Sequence, residues 1–296
     1  MKLTTFKQIS QKEGHSLSFE FFPPKTSELL SSTKVLMKEL SQFNPDFMSV
    51  TYGAGGGTRE LTFDLVYYIT SELQQSAVAH LTCIGHSKSE IEAMVSKYRS
   101  YGINNILALR GDPPAGQKDF VKHPDGFENA RNLTKFISSL GGISIAVAGY
   151  PEKHLEAISL EADIKYLKEK IDAGADVIMT QMFFDSTLYF RFLEKTQKAG
   201  ITVPILPGIM PISNISQLKR FTSMCGASIP QSLSAQLAGI EGKDEEVVSL
   251  GIHYATKLIL ELLAGGAPGA HIFTLNKSHQ TREILRNLQD NGKFLS

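Results

Sequence analysis

Eight short apolar runs recur along this chain at near-even spacing, each separated from the next by a stretch long enough for a helix. They fall at 17–22 (LSFEFF), 46–52 (DFMSVTY), 77–84 (AVAHLTCI), 104–110 (NNILALR), 143–150 (ISIAVAGY), 176–183 (DVIMTQMF), 203–209 (VPILPGI) and 270–276 (AHIFTLN). Their β-branched and aromatic content, and the unbroken apolarity of several, describe strands covered on both faces, the habit of parallel sheets. Helical patterns such as SELLSSTKVLMKELSQF, KSEIEAMVSKYRSYG and EADIKYLKEKIDAGAD fill the gaps, the last two running into glycine, a common helix stop. Eight such units in 296 residues match the length of a (β/α)8 TIM barrel. A doubly wound open sheet is the alternative; even spacing without a composition break favours closure. The stretch 225–265 exceeds what one unit needs and predicts extra helices before the last strand. With no linker or low-complexity tract, residues 1–296 read as one domain, with no second domain expected.

Charge narrows the function. Thirty basic and thirty acidic residues cancel, and neither a basic stripe nor an acidic tail stands out, so nucleic acid is not an expected partner. Cys83 and Cys225 are far apart and lack C-x-x-C spacing, which supports neither a disulfide framework nor a structural zinc site. The first residues carry no apolar core of a signal peptide, and no apolar run reaches the length of a bilayer crossing. A cytoplasmic protein with no membrane partner is the expectation.

A barrel places its site where strands end and the following loops begin. Strand one ends in Glu20-Phe21-Phe22-Pro23-Pro24, and strand two in Thr51-Tyr52-Gly53. Strand three carries His80 and Thr82, and strand four runs into Arg110-Gly111-Asp112-Pro113-Pro114. Strand five leads to Tyr150-Pro151-Glu152-Lys153-His154, strand six to Gln181, strand seven to Pro207-Gly208, and strand eight to Thr274-Leu275-Asn276-Lys277. Polar groups thus converge on one rim. Strand alternation sets Phe19 and Phe21 on one face and Glu20 with Phe22 on the other. A carboxyl in so aromatic a run would be desolvated, with a raised pKa suited to proton donation. The competing reading pairs Glu20 with a lysine or arginine across the barrel. Asp112 is either a charge aimed into the pocket or an Asx-type turn residue.

Gly53-Ala54-Gly55-Gly56-Gly57-Thr58 follows a strand but fits neither the P-loop nor the dinucleotide frame, so it reads as a turn. His80, His154 and His271 lack a metal spacing and read as hydrogen-bonding residues. Phe183 and Phe184 read as packing residues, and Phe221 as core or as a stacking surface.

The segments SFEFFPPKT (18–26), SVTYGA (49–54), HLTCI (80–84), LRGDPP (109–114), YPEKH (150–154), DAGAD with MTQMFFD (172–185), PGIMPIS (207–213) and FTLNK (273–277) occur in this order. Together they resemble the catalytic domain of the methylenetetrahydrofolate reductases over essentially the whole chain. That resemblance implies a barrel holding FAD noncovalently and reducing 5,10-methylenetetrahydrofolate with NADH or NADPH, in a homo-oligomer. It assigns flavin contacts to Thr51, His80, Leu109, Arg110, Gly111, Asp112, Ala130, Tyr150, His154, Asp163 and Lys170. Glu20 matches the proton donor, and Asp112 the acid beside the flavin and the pterin. Gln181, Gln217 and Phe221 match positions that meet folate or nicotinamide. Two departures stand out: Lys277 where an arginine is usual, at a position expected to bear on folate or nucleotide affinity, and Asn129 where an aromatic often precedes Ala130. A flavin-free reductase and a non-catalytic folate-binding barrel are the remaining alternatives. A flavin oxidoreductase of proline-type substrates and a pterin-dependent methyltransferase fit the ordered segments less well.

Overall fold

The computed structural model describes residues 5–9, 11–24, 26–53, 59–112 and 121–294. The glycine-rich stretch from Ala54 to Thr58, and Lys25, Pro113 and Pro114, lie outside them.

The strands are β1 (Ser16–Phe21), β2 (Phe47–Val50), β3 (Ala77–Thr82), β4 (Asn105–Leu109), β5 (Ser144–Gly149), β6 (Val177–Thr180), β7 (Ile205–Leu206), β8 (Gly208–Ile209) and β9 (Gly269–Phe273). They pair in parallel in the order β7-β6-β5-β4-β3-β2-β1-β9-β8. Where the sequence predicts one strand over 203–209, the structure has two short pieces of a single stave. Pro207 has no N–H to give a ladder and interrupts it. β7 stays with β6, β8 moves onto β9, and the Pro207 carbonyl accepts from His271 N at 2.9 Å. Eight staves therefore close into a (β/α)8 barrel. Most of the other strands are shorter than the apolar runs, and Thr51, Tyr150, Gln181 and Thr274 stand just past strand ends, in the loops of one rim.

The helices are α1 (Thr5–Ile9), α2 (Leu30–Ser41), α3 (Arg59–Ser71), α4 (Lys88–Ser100), α5 (Ala130–Leu140), α6 (Leu160–Asp172), α7 (Ser186–Lys198), α8 (Ile215–Cys225), α9 (Gln231–Gly239), α10 (Asp244–Ala264) and α11 (Ser278–Asp290). Their starts follow local chemistry. Ser87 and Glu90 form a reciprocal capping box on α4, and Asn129, Ser159, Asp185 and Asn214 cap α5 to α8 through side-chain oxygens. The expected extra helices are α9 and α10. At 21 residues α10 is long and apolar enough to cross a bilayer by length and composition, which the sequence reading did not anticipate. Its apolar positions are a stripe rather than a run: Val247, Ala255, Leu258, Ile259 and Leu262 are buried, while Glu245 and Lys257 are exposed.

Alternation along the strands makes two cores. Phe19, Phe21, Val50, Leu81 and Ile106 face outward, where they pack among the helices. Phe47, Val78, Leu107, Ala146, Val177 and Leu206 face inward and fill the lower barrel. The lower end is closed by Phe6 and Ile9 of α1, with the Phe6 ring edge-on to Phe47 at 5.6 Å.

Candidate active site

Further up the same staves the inward positions turn polar. Glu20 of β1, His80 of β3 and His271 of β9 line a cavity of about 410 Å³ at the barrel mouth. Parallel register brings them together: Ser18 lies opposite His271, and Glu20 opposite Phe273. His271 is fully buried, its Nδ1 2.8 Å from Ser18 Oγ and its Nε2 3.3 Å from Glu20 Oε2. His80 Nε2 lies 3.4 Å from the same Glu20 oxygen. The Phe47 ring lies against the His271 ring at 5.6 Å, so the apolar core supports the polar cluster from below.

This cluster corrects the sequence reading of Glu20. Burial does push its carboxyl upward, but the hydrogen bond with His271 and the charges of His80 and His271 outweigh it, and the net shift is down. Among the described residues Glu20 pairs with no lysine or arginine; its partners are two imidazoles. Burial also pushes His80 down to about 4, against the pull of Glu20, so His80 is neutral at neutral pH. Glu20 keeps 20% of its side chain exposed to the cavity.

The backbone of this segment is held by the Thr-Leu-Asn sequence after β9. Thr274 donates to the Glu20 carbonyl from its N–H at 3.1 Å and its hydroxyl at 2.8 Å. Asn276 accepts from Phe22 N at 3.2 Å and donates to Phe22 O at 2.8 Å. Asn276 and Leu275 both adopt positive φ, near 51° and 52°, a conformation that costs a non-glycine residue and persists only where its surroundings hold it.

A second lobe of about 440 Å³ opens beside the mouth, between α5 and α6, and shares Leu109, Arg110, Ala148, Tyr150 and His154 with it. Arg110 makes a two-pronged pair with Glu156, at 2.5 and 2.8 Å, which pushes the guanidinium pKa further up. Asp163 accepts from His154 N at 2.8 Å. Lys170 donates to the Ala148 carbonyl at 2.6 Å, and burial brings its pKa down to about 8 against the charge of Asp163. Burial, with the charges of Asp163 and Asp112, pushes the Tyr150 hydroxyl up. Gly111 allows the turn out of β4: its φ is +89°, and a Cβ there would sit 2.6 Å from the Ile84 side chain.

All eleven flavin positions implied by the resemblance line one lobe or the other. Thr51, His80, Gly111 and Asp112 are at the mouth; Ala130, Asp163 and Lys170 are in the side lobe; Leu109, Arg110, Tyr150 and His154 are shared. Gln181 and Phe221 also line the mouth, whereas Gln217 and Lys277 line neither lobe. Gln217 is one turn before Phe221 on α8, and Lys277 is exposed at the start of α11. Phe221 is both things the sequence left open, packed on the cluster under α8 and α9 and facing the cavity. Asn129 caps α5, accepting from Asn132 N at 3.0 Å, and lines the side lobe. Phe183 and Phe184 are buried packing residues. Sequence reasoning passed over His271 as a partner of Glu20, although its inward phase on the last strand was readable from alternation. It also passed over Glu156, in the loop after β5, and over Arg131 and Tyr166, for which helical spacing on α5 and α6 was the available signal.

The model of the methylenetetrahydrofolate reductase family matches residues 5–289. Methylenetetrahydrofolate reductase (NADH) 1 of Arabidopsis thaliana is 40% identical over 95% of this chain and 50% of its own length. The 5,10-methylenetetrahydrofolate reductase of Salmonella typhimurium is 37% identical, over 95% of this chain and 94% of its own. The chain thus spans about half the length of the plant relatives and nearly all of the bacterial one. Among solved structures, a Clostridium thermocellum protein that binds two copies of 5-methyl-5,6,7,8-tetrahydrofolic acid superposes with a TM-score of 0.65. That match has 16% identity and covers 96% of this chain and 98% of the other; it speaks for the fold.

Proposed function

The chain belongs to the methylenetetrahydrofolate reductase family, and from that premise we propose that it reduces 5,10-methylenetetrahydrofolate to 5-methyltetrahydrofolate at the expense of NADH or NADPH. NADH is the preferred donor, in line with the names of its plant relatives. The observation that carries the reading is the convergence of separately carried positions, from six staves and three helices, on two joined cavities.

The residues present fit an FAD. The two lobes form one continuous cradle, cationic at Arg110 and Lys170 and apolar along Leu107, Leu109 and Ala148. His80 Nε2, buried at the wall, has no hydrogen-bond partner among the described residues. FAD, when bound there, supplies a two-electron carrier that takes hydride from the nicotinamide and returns it to the folate carbon.

The chain's own residues supply the rest. Opening the five-membered folate ring needs a proton, and Glu20 is the carboxyl at the mouth that can deliver one, its Oε2 hydrogen-bonded with His271 Nε2. Glu20 acts as general acid in hydrogen-bond contact with His271, whose ring is steadied by Ser18. Thr274 and Asn276 fix the backbone on either side, which orients the carboxyl toward the cavity. Asp112 places a negative charge at the rim, where it favours a cationic iminium on the substrate and can accept from the pterin amino group. Phe221 offers a flat face to either substrate, and the Gln181 amide offers a polar contact across from it.

An anaerobic visible spectrum of the purified protein tests this reading. Flavin bands should bleach on adding NADH and return on adding methylenetetrahydrofolate. A colourless protein that still consumes NADH with folate would replace the reading with a flavin-free reductase. A flavin that neither NADH nor NADPH bleaches would refute the donor.

A further inference from the structure

The loop that follows β5 reaches the far end of α8, and nothing in the proposed chemistry uses that contact. Both carboxylate oxygens of Glu152 accept from Ser228 N, at 3.0 and 3.1 Å. Ser228 lies in the short connection between α8 and α9. Three residues after Glu152, Leu155 presses on Gly226, the left-handed residue that ends α8. A Cβ on Gly226 would lie 2.7 Å from the Leu155 side chain. Burial pushes the Cys225 thiol up and the Glu152 charge adds to the rise, so the carboxylate stands near the last residue of α8.

The two partners are not held alike. The β5 loop is pinned at several points. Asp163 accepts from His154 N at 2.8 Å, Lys153 Nζ donates to the carbonyls of His154 and Ala157, and Arg110 pairs with Glu156. Lys153 keeps a φ of +83° there, a conformation that persists only where its surroundings over-determine it. On the other side, Gly226 and Ala227 bond back to Thr222 of α8 itself, and Leu218 packs in the smaller cluster under α8 and α9. The loop is thus the fixed partner, and the helix end is what it holds. Phe221 stands about one turn before that end and faces the cavity.

Resting on the reductase reading above, we propose that Glu152 is a positioning residue: by holding Ser228 it fixes the end of α8, and with it the distance of the Phe221 ring from the wall formed by Tyr150 and His154. A flat substrate enters between that ring and that wall, so Glu152 governs affinity for substrate rather than for flavin.

Steady-state kinetics with NADH and methylenetetrahydrofolate, alongside FAD binding followed by quenching of flavin fluorescence, test the assignment. Glu152→Ala should raise KM for both substrates about tenfold, the low end of what a hydrogen bond to a charged group contributes, with kcat and FAD affinity unchanged. Glu152→Gln still offers an oxygen to Ser228 N and should recover most of the loss. Glu152→Ala made in a Phe221→Ala background should add nothing, because its effect passes through that ring. Unchanged KM values in Glu152→Ala, no recovery in Glu152→Gln, loss of FAD affinity in step with KM, or additive losses in the double variant would each overturn the positioning role while the reductase reading stands. If Phe221→Ala leaves both KM values unchanged, or the wild type does not turn over the two substrates, the earlier reading falls and takes the positioning role with it.

Discussion

The two ends of the barrel use the same staves for opposite purposes. On β3, Val78 belongs to the lower apolar core, and two residues later His80 lies 3.4 Å from a carboxylate oxygen. On β1, Ser18 is the buried support of His271, and two residues later Glu20 opens to the cavity. Below, Phe6, Ile9 and Phe47 close the tube; above, Glu20, His80 and Asp112 line a cavity of about 410 Å³. One strand period is enough to pass from packing to chemistry. The contrast teaches that stability and reactivity are stacked along one axis here, and that single substitutions should separate them.

The largest separation is expected at Glu20. Glu20→Gln keeps the shape of the side chain but removes the acid, and should slow folate reduction about a hundredfold to ten-thousandfold. Flavin reduction by NADH, measured by stopped flow, should survive with the melting temperature little changed. Equal loss in both half-reactions would break the assignment of Glu20 as part of the acid. At the lower end, Phe47→Ala empties the floor beneath His271 and should cost about 3–5 kcal/mol in denaturant unfolding. Flavin affinity of the molecules that remain folded should hold; a proportionate loss of affinity would show that the two ends are not separable. Gly111→Ala tests the upper rim for structure rather than chemistry. Its φ of +89° and the Ile84 contact should cost about 1–3 kcal/mol in the same assay, and a neutral result would mean that the turn relaxes freely.

A smaller effect is expected from pH. Burial lowers the Lys170 pKa from its ordinary 10.5 to about 8, so the ammonium prevails below pH 8 and the neutral amine above it. Affinity for an anionic diphosphate ligand should therefore be greatest below pH 8. It should fall above that by at most about tenfold per pH unit. Lys170→Arg should flatten the profile, and a wild-type titration without the fall would detach Lys170 from the ligand.

Much of this was legible in the chain. The apolar runs marked every stave, and alternation separated Glu20 from Phe19 and Phe21 before any coordinates existed. The loop residues from Arg110 to Asp112 and the pair Tyr150 and His154 were placed on the rim by the ordinary rule for barrels. What could not be read were meetings between distant strands. The downward shift of the Glu20 carboxyl depends on His271, which alternation turns inward but which only barrel closure brings against β1. The break at Pro207 was visible as a proline, yet its consequence, a stave divided between two neighbours, depends on pairings that one strand does not encode. Gln217, on α8 one turn before Phe221, and Lys277, exposed at the start of α11, line neither cavity.

The seam between β1 and β9 has a consequence in time. Glu20 and His271 are 251 residues apart, so their contact closes nearly the whole chain into a loop. Contacts of such separation are costly in chain entropy and form late, after local units have already taken shape. The Glu20–His271 pair is therefore among the last features of the molecule to be made. Intermediates with most of their helices and strands in place lack it, and reductase activity should return during refolding no earlier than the ring itself.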